Sequence, residues 1–279
     1  MGAGLAFGAA LDRYSRQNYI LLHYHVHIPQ PDPMVNPSTL ERQKFYGVRS
    51  SPSYFIDGDS DGGGGSADAA RSLYDRKVEP IVEEHLAAPP DAALKLRATQ
   101  TGATVKVRAE VSQVKSTSDK LRIQIALVED EVRYSGENGN RFHEMVVRSL
   151  ANGPPPPAKS GVPAAGAPAT GDKPAAAPAP AEGEKPAAAT AAPAIPTGFA
   201  LKPGQRGRFE WTFDLAKAAA DAKAHLEDFE TYTRKGAYSF RQKKHEINPG
   251  NLSVVAFVQD EATKKVLQAI YIKLPAPKR

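Results

Sequence analysis

The feature that most limits how this chain can fold is a tract near its middle. From Gly153 to Thr197 it is dominated by Ala, Pro, Gly, Lys and Glu, opening with Pro154 to Pro157 and continuing in runs such as Pro174-Ala-Ala-Ala-Pro178. Nothing there fills a core, and each proline fixes φ and removes a backbone donor. The stretch 151–198 therefore reads as a disordered Ala/Pro-rich linker or insertion. A Pro-rich docking peptide is the alternative, although no positioned aromatic or Arg anchor accompanies the prolines. Loop-closure entropy grows slowly with length, so the two flanks can belong to one unit.

The flanks read as β-rich. Val105, Val107, Ala109 and Val111 alternate with Thr104, Lys106, Arg108 and Glu110, and Leu121, Ile123, Ile125 and Leu127 repeat the period of two, the mark of a half-buried antiparallel sheet. Phe142 to Leu150 reads as a further strand. Beyond the tract, Phe209, Trp211 and Phe213 share one strand face. Asp214 then caps a helix whose apolar side is Leu215, Ala219, Ala222, Leu226 and Phe229. Leu252 to Gln259 and Val266 to Leu274 close the chain, with Asp260 to Lys265 as the turn. Residues 92–150 and 199–274 are thus expected to form one β-sandwich-like domain.

Residues 1–88 alternate helix and strand signals instead. A helix is expected over Leu5 to Arg16 and a buried strand over Tyr19 to Ile28. Ser38-Thr-Leu-Glu41 is a capping-box pattern for a second helix, which Gly47 stops. A short strand runs from Ser53 to Asp57, and a third helix starts at Ser66, with Pro80 as a kink. Such alternation argues for an α/β unit, and the fold class is α/β plus β.

The formal charge of +5 over 279 residues is mild and does not indicate a nucleic-acid partner. Cysteine is absent, which excludes disulfides, thiolate ligands and thiol catalysis from this chain. No stretch reaches the roughly 20 apolar residues of a membrane-spanning helix. The start lacks the basic region and cleavage site of a signal peptide.

Two clusters have metal-ligand residue types. His23, His25 and His27 fall on one side of the expected strand, and alternate strand positions can share a zinc ion if another ligand arrives from elsewhere. The competing reading is rings hydrogen-bonded along a sheet face. Asp57-Gly-Asp59-Ser-Asp61-Gly62 matches the first half of a calcium loop, with Asp68 at the twelfth position. Gly64 at the eighth position, Asp in place of a bidentate Glu, and a strand leading in all count against it. The competing reading is a polar loop before a helix. No cofactor is expected, with calcium as the alternative. No hydrolase elbow, phosphate loop or dinucleotide fingerprint is present, and Arg241, Lys243 and Lys244 near His245 read as a solvated loop.

The run Val48-Arg49-Ser50-Ser51-Pro52-Ser53-Tyr-Phe-Ile-Asp57-Gly58 resembles the cis-proline segment of thioredoxin-like folds. The run from Leu21 to Val48, "LLHYHVHIPQPDPMVNPSTLERQKFYGV", resembles a group of bacterial extracytoplasmic thioredoxin-like proteins in which a β-rich domain follows. The closing hairpin, Val254 to Asp260 and Thr263 to Ala269, is similar to that of the same group, as is "ENGNRFHEMVVRSL" before the tract. The resemblance implies an incomplete thioredoxin-like domain whose central strand and Cys-x-x-Cys precede Met1. It also implies an extracytoplasmic or periplasmic location, and substrate docking at the Ser51, Pro52 and Ser53 loop. Three functions follow as expectations. The first is a redox-inactive binding or scaffold module with a protein or peptide partner. The second is a thiol–disulfide oxidoreductase whose cysteines lie upstream, and the third is a calcium-binding module using Asp57 to Asp68.

Overall fold

The computed structural model describes residues 8, 10, 12–63, 68–136, 139–152, 197–233 and 238–277. Its centre is a pair of antiparallel sheets. One has the order β3 (Ala93–Thr101), β4 (Thr104–Ser112), β8 (Gly207–Asp214). The other has the order β10 (Val266–Lys273), β9 (Leu252–Asp260), β5 (Leu121–Arg133), β6 (Phe142–Leu150), with the two-residue β7 (Phe199–Ala200) also on β5. The alternation legible in the sequence decides which side chains meet. Val105, Val107, Ala109, Val111 and Phe213 face Leu121, Ile123, Ile125, Leu127, Val254, Ala256 and Val258 in one continuous core.

Both ends of the Ala/Pro tract sit on this core, while residues 153–196 lie outside the described set. Asn152 bridges to Thr197, and the Gly198 amide donates to the Ala151 carbonyl at 2.7 Å. Arg122 donates to the Thr197 and Gly198 carbonyls at 2.9 and 2.7 Å. The chain thus leaves and re-enters the sandwich at one point, the geometry of an insertion. Gly198 has φ of 73°, and a Cβ there would lie 2.5 Å from the Ile123 carbonyl oxygen, so the return requires glycine.

The central strands of the five-stranded sheet, β5 and β9, are buried on both faces. Every residue from Leu252 to Asp260 is buried. Ala126, Val128, Met145, Val147, Val255 and Phe257 form a second core with Ile20, Leu21, Leu22 and Tyr24. The N-terminal region is therefore a third layer lying on the sandwich. Chain 19–28, expected as a strand, is extended but pairs at one residue. The His23 amide donates to the Met145 carbonyl at 2.9 Å, and its carbonyl accepts from Val147 at 3.0 Å, a parallel bridge to Val146. The edge it meets is not straight: the β5–β6 register shifts at Leu127/Val128 and Met145 has φ of 53°. Such irregularities end strand pairing. The other expected strand, β1 (Ser53–Ile56), pairs with β2 (Asp59–Gly63) in a separate hairpin.

Helix α1 (Pro37–Tyr46) starts two residues before the expected box. Asn36 is the N-cap and exchanges bonds with Thr39, which frees Ser38 and Glu41 for other partners. The Ser38 hydroxyl accepts from the Leu150 amide and Glu41 from the Thr197 amide. The helix stops, as expected, at Gly47 with φ of 69°. The third helix is α2 (Ala70–Leu73), a π-helical turn over Tyr74–Val78, and α3 (Glu79–Ala87). Pro80 sits where the π turn gives way, the kind of local cause that kinks require. The expected cap, Ser66, lies outside the described residues. Helix α4 (Leu215–Asp228) is capped by Asp214 as expected. No described helix is long and apolar enough to cross a membrane.

Candidate functional site

The three histidines of chain 19–28 do not converge. His23 Nδ1 lies 2.6 Å from the Glu144 carbonyl oxygen. His25 Nδ1 meets Asp32 at 2.7 Å and packs edge-on against His143. The His27 Nδ1 accepts from the Asp32 amide at 3.1 Å, its ring stacks on Phe229 at 3.9 Å, and its Nε2 lies 3.2 Å from His225 Nε2. Because Nδ1 of His27 is an acceptor, its proton sits on Nε2 and is given to His225. In that tautomer Nε2 of His27 has no lone pair for a metal. Among the described residues, no group of three or more His, Asp or Glu side chains has metal-holding geometry.

Burial sets the electrostatics of this cluster. It pushes His23 down to about 4. Burial lowers His143, with His25 adding to the effect, and it lowers His225 against the pull of Asp228. Burial alone would raise the Asp32 carboxyl, but His25 and the Met34 amide outweigh it and the net shift is downward. Burial thus favours the neutral forms of His23, His143 and His225, and the cluster's contacts fasten chain 19–32 to β6 and α4.

The expected calcium residues occupy a hairpin. Asp57 and Gly58 are its two turn residues, with φ of 46° and 97°, as an Asp-Gly type I′ turn requires. Ile56 pairs with Asp59, so the chain runs back along itself from that point. The Asp57 carboxylate contacts His85 Nδ1 at 2.7 Å and the Asp57 carbonyl accepts from Val266 at 2.7 Å. Asp59 is exposed in β2, Asp61 is placed in β2 by its backbone alone, and Asp68 is exposed.

The Ser51–Pro52 peptide bond is cis. Ser51 is exposed, and the Ser53 hydroxyl donates to the Ser50 carbonyl at 2.7 Å. Directly before this loop, Leu40, Gln43, Lys44, Gly47, Val48 and Arg49 line a cleft of about 270 Å³. Leu40 and Val48 are half-buried, whereas Lys44 and Arg49 are exposed and have no ion-pair partner among the described residues. The apolar wall, the two cations and exposed Ser51 are thus contiguous in the chain.

Sequence reasoning missed three buried groups. Arg42 is 2% exposed, donates to Gln259 at 2.6 Å and to the Tyr46 hydroxyl at 3.1 Å, and lies over the Phe45 ring at 4.4 Å. It ties α1 to β9. Arg148 and Glu129 form a buried pair at 3.5 Å. Arg148 also donates to the carbonyls of Lys244 and Glu246, and Glu129 accepts from the Asn248 amide. Arg148 sits at the β5–β6 register shift, which turns it out of the strand alternation. The basic loop near His245 is held by this pair.

No family model and no curated protein matches the chain. Among solved structures, HBP35 of Porphyromonas gingivalis aligns with a TM-score of 0.47 at 10% identity, over 86% of this chain and 58% of that one. This chain therefore spans less than two thirds of that protein. A domain of the outer membrane lipoprotein Omp28 from Porphyromonas gingivalis aligns with a TM-score of 0.30 at 13% identity, over 68% of this chain and 93% of that one.

Proposed function

We propose that this chain is a binding module of the bacterial cell envelope, of thioredoxin-like type, that docks an extended peptide of a partner protein and performs no chemistry on it. The observation that carries the reading is the junction of the Leu40–Arg49 cleft with the Ser51–Pro52–Ser53 loop, in which Ser51 is exposed and Pro52 and Ser53 are half-buried. An extended peptide can lay an apolar side chain on Leu40 and Val48 and an acidic one between Lys44 and Arg49. Anchored apolar contact with charge matching is a recurring mode of peptide recognition. The envelope assignment rests on the sequence resemblance. The absence of cysteine leaves no thiol chemistry in this chain.

The test is selection of displayed peptides on the immobilised full chain, followed by affinities for synthetic copies of the selected peptides. Peptides pairing an acidic with an apolar residue are expected, with binding weakened about tenfold or more in Lys44→Glu/Arg49→Glu. Selection of nothing, or binding indifferent to that charge reversal, overturns the reading.

A further inference from the structure

The geometry points to a second copy of this chain as the partner of β8, joined edge to edge across a two-fold axis through Trp211. β8 pairs with β4 on one side and, among the described residues, with no strand on the other. The backbone groups directed at that open side have no hydrogen-bond partner among the described residues. Exposed edges are normally guarded by a proline, a bulge, charged side chains or a covering segment; the charges on this edge are already partly neutralised, Glu210 meeting Arg208 at 3.3 Å and Arg108 at 2.9 Å. Residues 207–214 contain no proline, and pairing with β4 is unbroken from Val111↔Gly207 to Thr104↔Asp214. The inner face carries Phe209, Trp211 and Phe213, of which Phe209 and Trp211 remain half-buried. The strand is therefore long, regular, apolar on one side and, among the described residues, unpaired along its outer edge.

The charges on the outer face choose the partner and the register. Arg208, Glu210, Thr212 and Asp214 are all exposed. In two strands related by a two-fold normal to the sheet, opposed residues lie on the same face, so the axis passes through a residue. An axis at Trp211 opposes Arg208 to the partner's Asp214 and Glu210 to the partner's Thr212, and it uses the whole strand from Arg208 to Asp214. An axis at Glu210 would set two Glu210 carboxylates against each other. An axis at Thr212 would set Glu210 against the partner's Asp214. Like charges directly opposed destabilise a strand pair; an axis at Phe209 avoids them but pairs only residues 207–211 of the strand, so Trp211 is the centre that uses 208–214 without opposing like charges. Asp214 caps α4 through one carboxylate oxygen, on the Lys217 amide, which leaves its other oxygen for an arginine. The product is a continuous six-stranded sheet that shields both half-buried Trp211 rings.

Sedimentation equilibrium on the full chain tests this, and the expected result is a concentration-dependent dimer. Thr212 is exposed and faces Lys106 within its own chain, so a charge placed there acts oppositely on the monomer and on the dimer. Thr212→Glu is expected to weaken association about tenfold by opposing Glu210 twice, while Thr212→Lys tightens it by a similar factor. Unchanged circular dichroism confirms that both variants are folded. Because the chain lacks cysteine, register can be read by crosslinking. Directly opposed residues have Cα atoms about 4.5–5.5 Å apart, within disulfide reach, whereas positions offset by two residues lie about 8 Å apart, beyond it. An oxidised mixture of Glu210→Cys and Thr212→Cys chains is expected to give covalent dimer, and neither variant alone. A monomer at every concentration overturns the proposal. So does a dimer indifferent to the charge at 212, or single variants that crosslink as readily as the mixture.

Discussion

His27 and His225, 198 residues apart in sequence, face each other through their Nε2 atoms at 3.2 Å. The Asp32 amide occupies Nδ1 of His27, so the direction of the bond is fixed, from His27 to His225. The contact joins the end of chain 19–28 to the last turn of α4, and Phe229 and Phe240 close over the His27 ring. Burial lowers His225, so protonating its ring, the acceptor of this bond, loosens the attachment of the N-terminal layer.

Stability is expected to fall on mild acidification. His23, His143 and His225 all have lowered values in the folded chain, with burial the leading cause. Below pH 6.5 the unfolded chain takes up protons that the folded chain refuses, so stability decreases with falling pH and levels off below the folded values. For His23, lowered to about 4, the loss is about 2 kcal/mol after allowance for its partial exposure. Asp32, lowered in the folded chain, adds a further loss only near its unfolded value of about 4. Urea unfolding at neutral pH and at pH 5 measures the change. His225→Gln keeps an acceptor for His27 and is expected to flatten the slope. His225→Ala strands the His27 donor and is expected to cost about 1–2 kcal/mol at neutral pH.

The hairpin turn at Asp57-Gly58 is held against the start of β10. A Cβ on Gly58 would lie 1.8 Å from the Lys264 carbonyl oxygen, at φ of 97°. Gly58→Ala combines unfavourable backbone conformation with a clash against main chain, and about 2–4 kcal/mol is expected. Gly204 also has positive φ, 66°, but nothing lies within 4 Å of its Cβ position. Gly204→Ala is expected to cost about 1 kcal/mol. Similar urea midpoints for the two variants would show that the turn does not bear on Lys264.

The β-sandwich strands were legible because each carries an alternation that one buried face enforces, as in Val105 to Val111. What the alternation does not carry is a second buried face. Leu252 to Phe257 is nearly unbroken in apolar residues, and that run was the available sign that something covers the outside of β9. Ser38 and Glu41 match a capping-box pattern locally, two residues beyond the true cap at Asn36, but their hydrogen bonds go to Leu150 and Thr197. The period of two at His23, His25 and His27 is a spacing only; their partners Glu144, Asp32 and His225 are chosen by tertiary packing. Asp-Gly at 57–58 is a hairpin signal as well as the opening of a calcium loop, and spacing alone does not separate the two.

Calcium can be tested at that hairpin directly. The Asp57 carboxylate is engaged by His85, and Asp59 follows a two-residue turn rather than a curl around a common centre. Millimolar calcium is therefore expected to leave the thermal midpoint unchanged in the parent chain and in Asp57→Ala/Asp59→Ala alike. A ligand bound by the native state alone must raise the midpoint, so a rise present in the parent and lost in the variant would establish the loop as a calcium site.

Arg148 and Glu129 offer a measurement of what fastens the 241–250 loop. Both are nearly inaccessible, with side chains 2% and 5% exposed. Burial lowers Arg148 against the pull of Glu129, and burial raises Glu129 against the pull of Arg148. Removing one partner leaves the other charge buried without compensation, so Arg148→Met is expected to cost about 3–5 kcal/mol. Glu129→Leu alone is expected to fall in the same range. With both replaced, no uncompensated charge remains and an apolar pair can fill the site, so the double variant is expected to be more stable than either single one. The Lys244 and Glu246 carbonyls and the Asn248 amide lose their partners in the double variant. Amide exchange in the loop is therefore expected to stay fast even where global stability recovers. If the double variant is as unstable as the sum of the single ones, the pair acts through those loop contacts and not through mutual charge compensation.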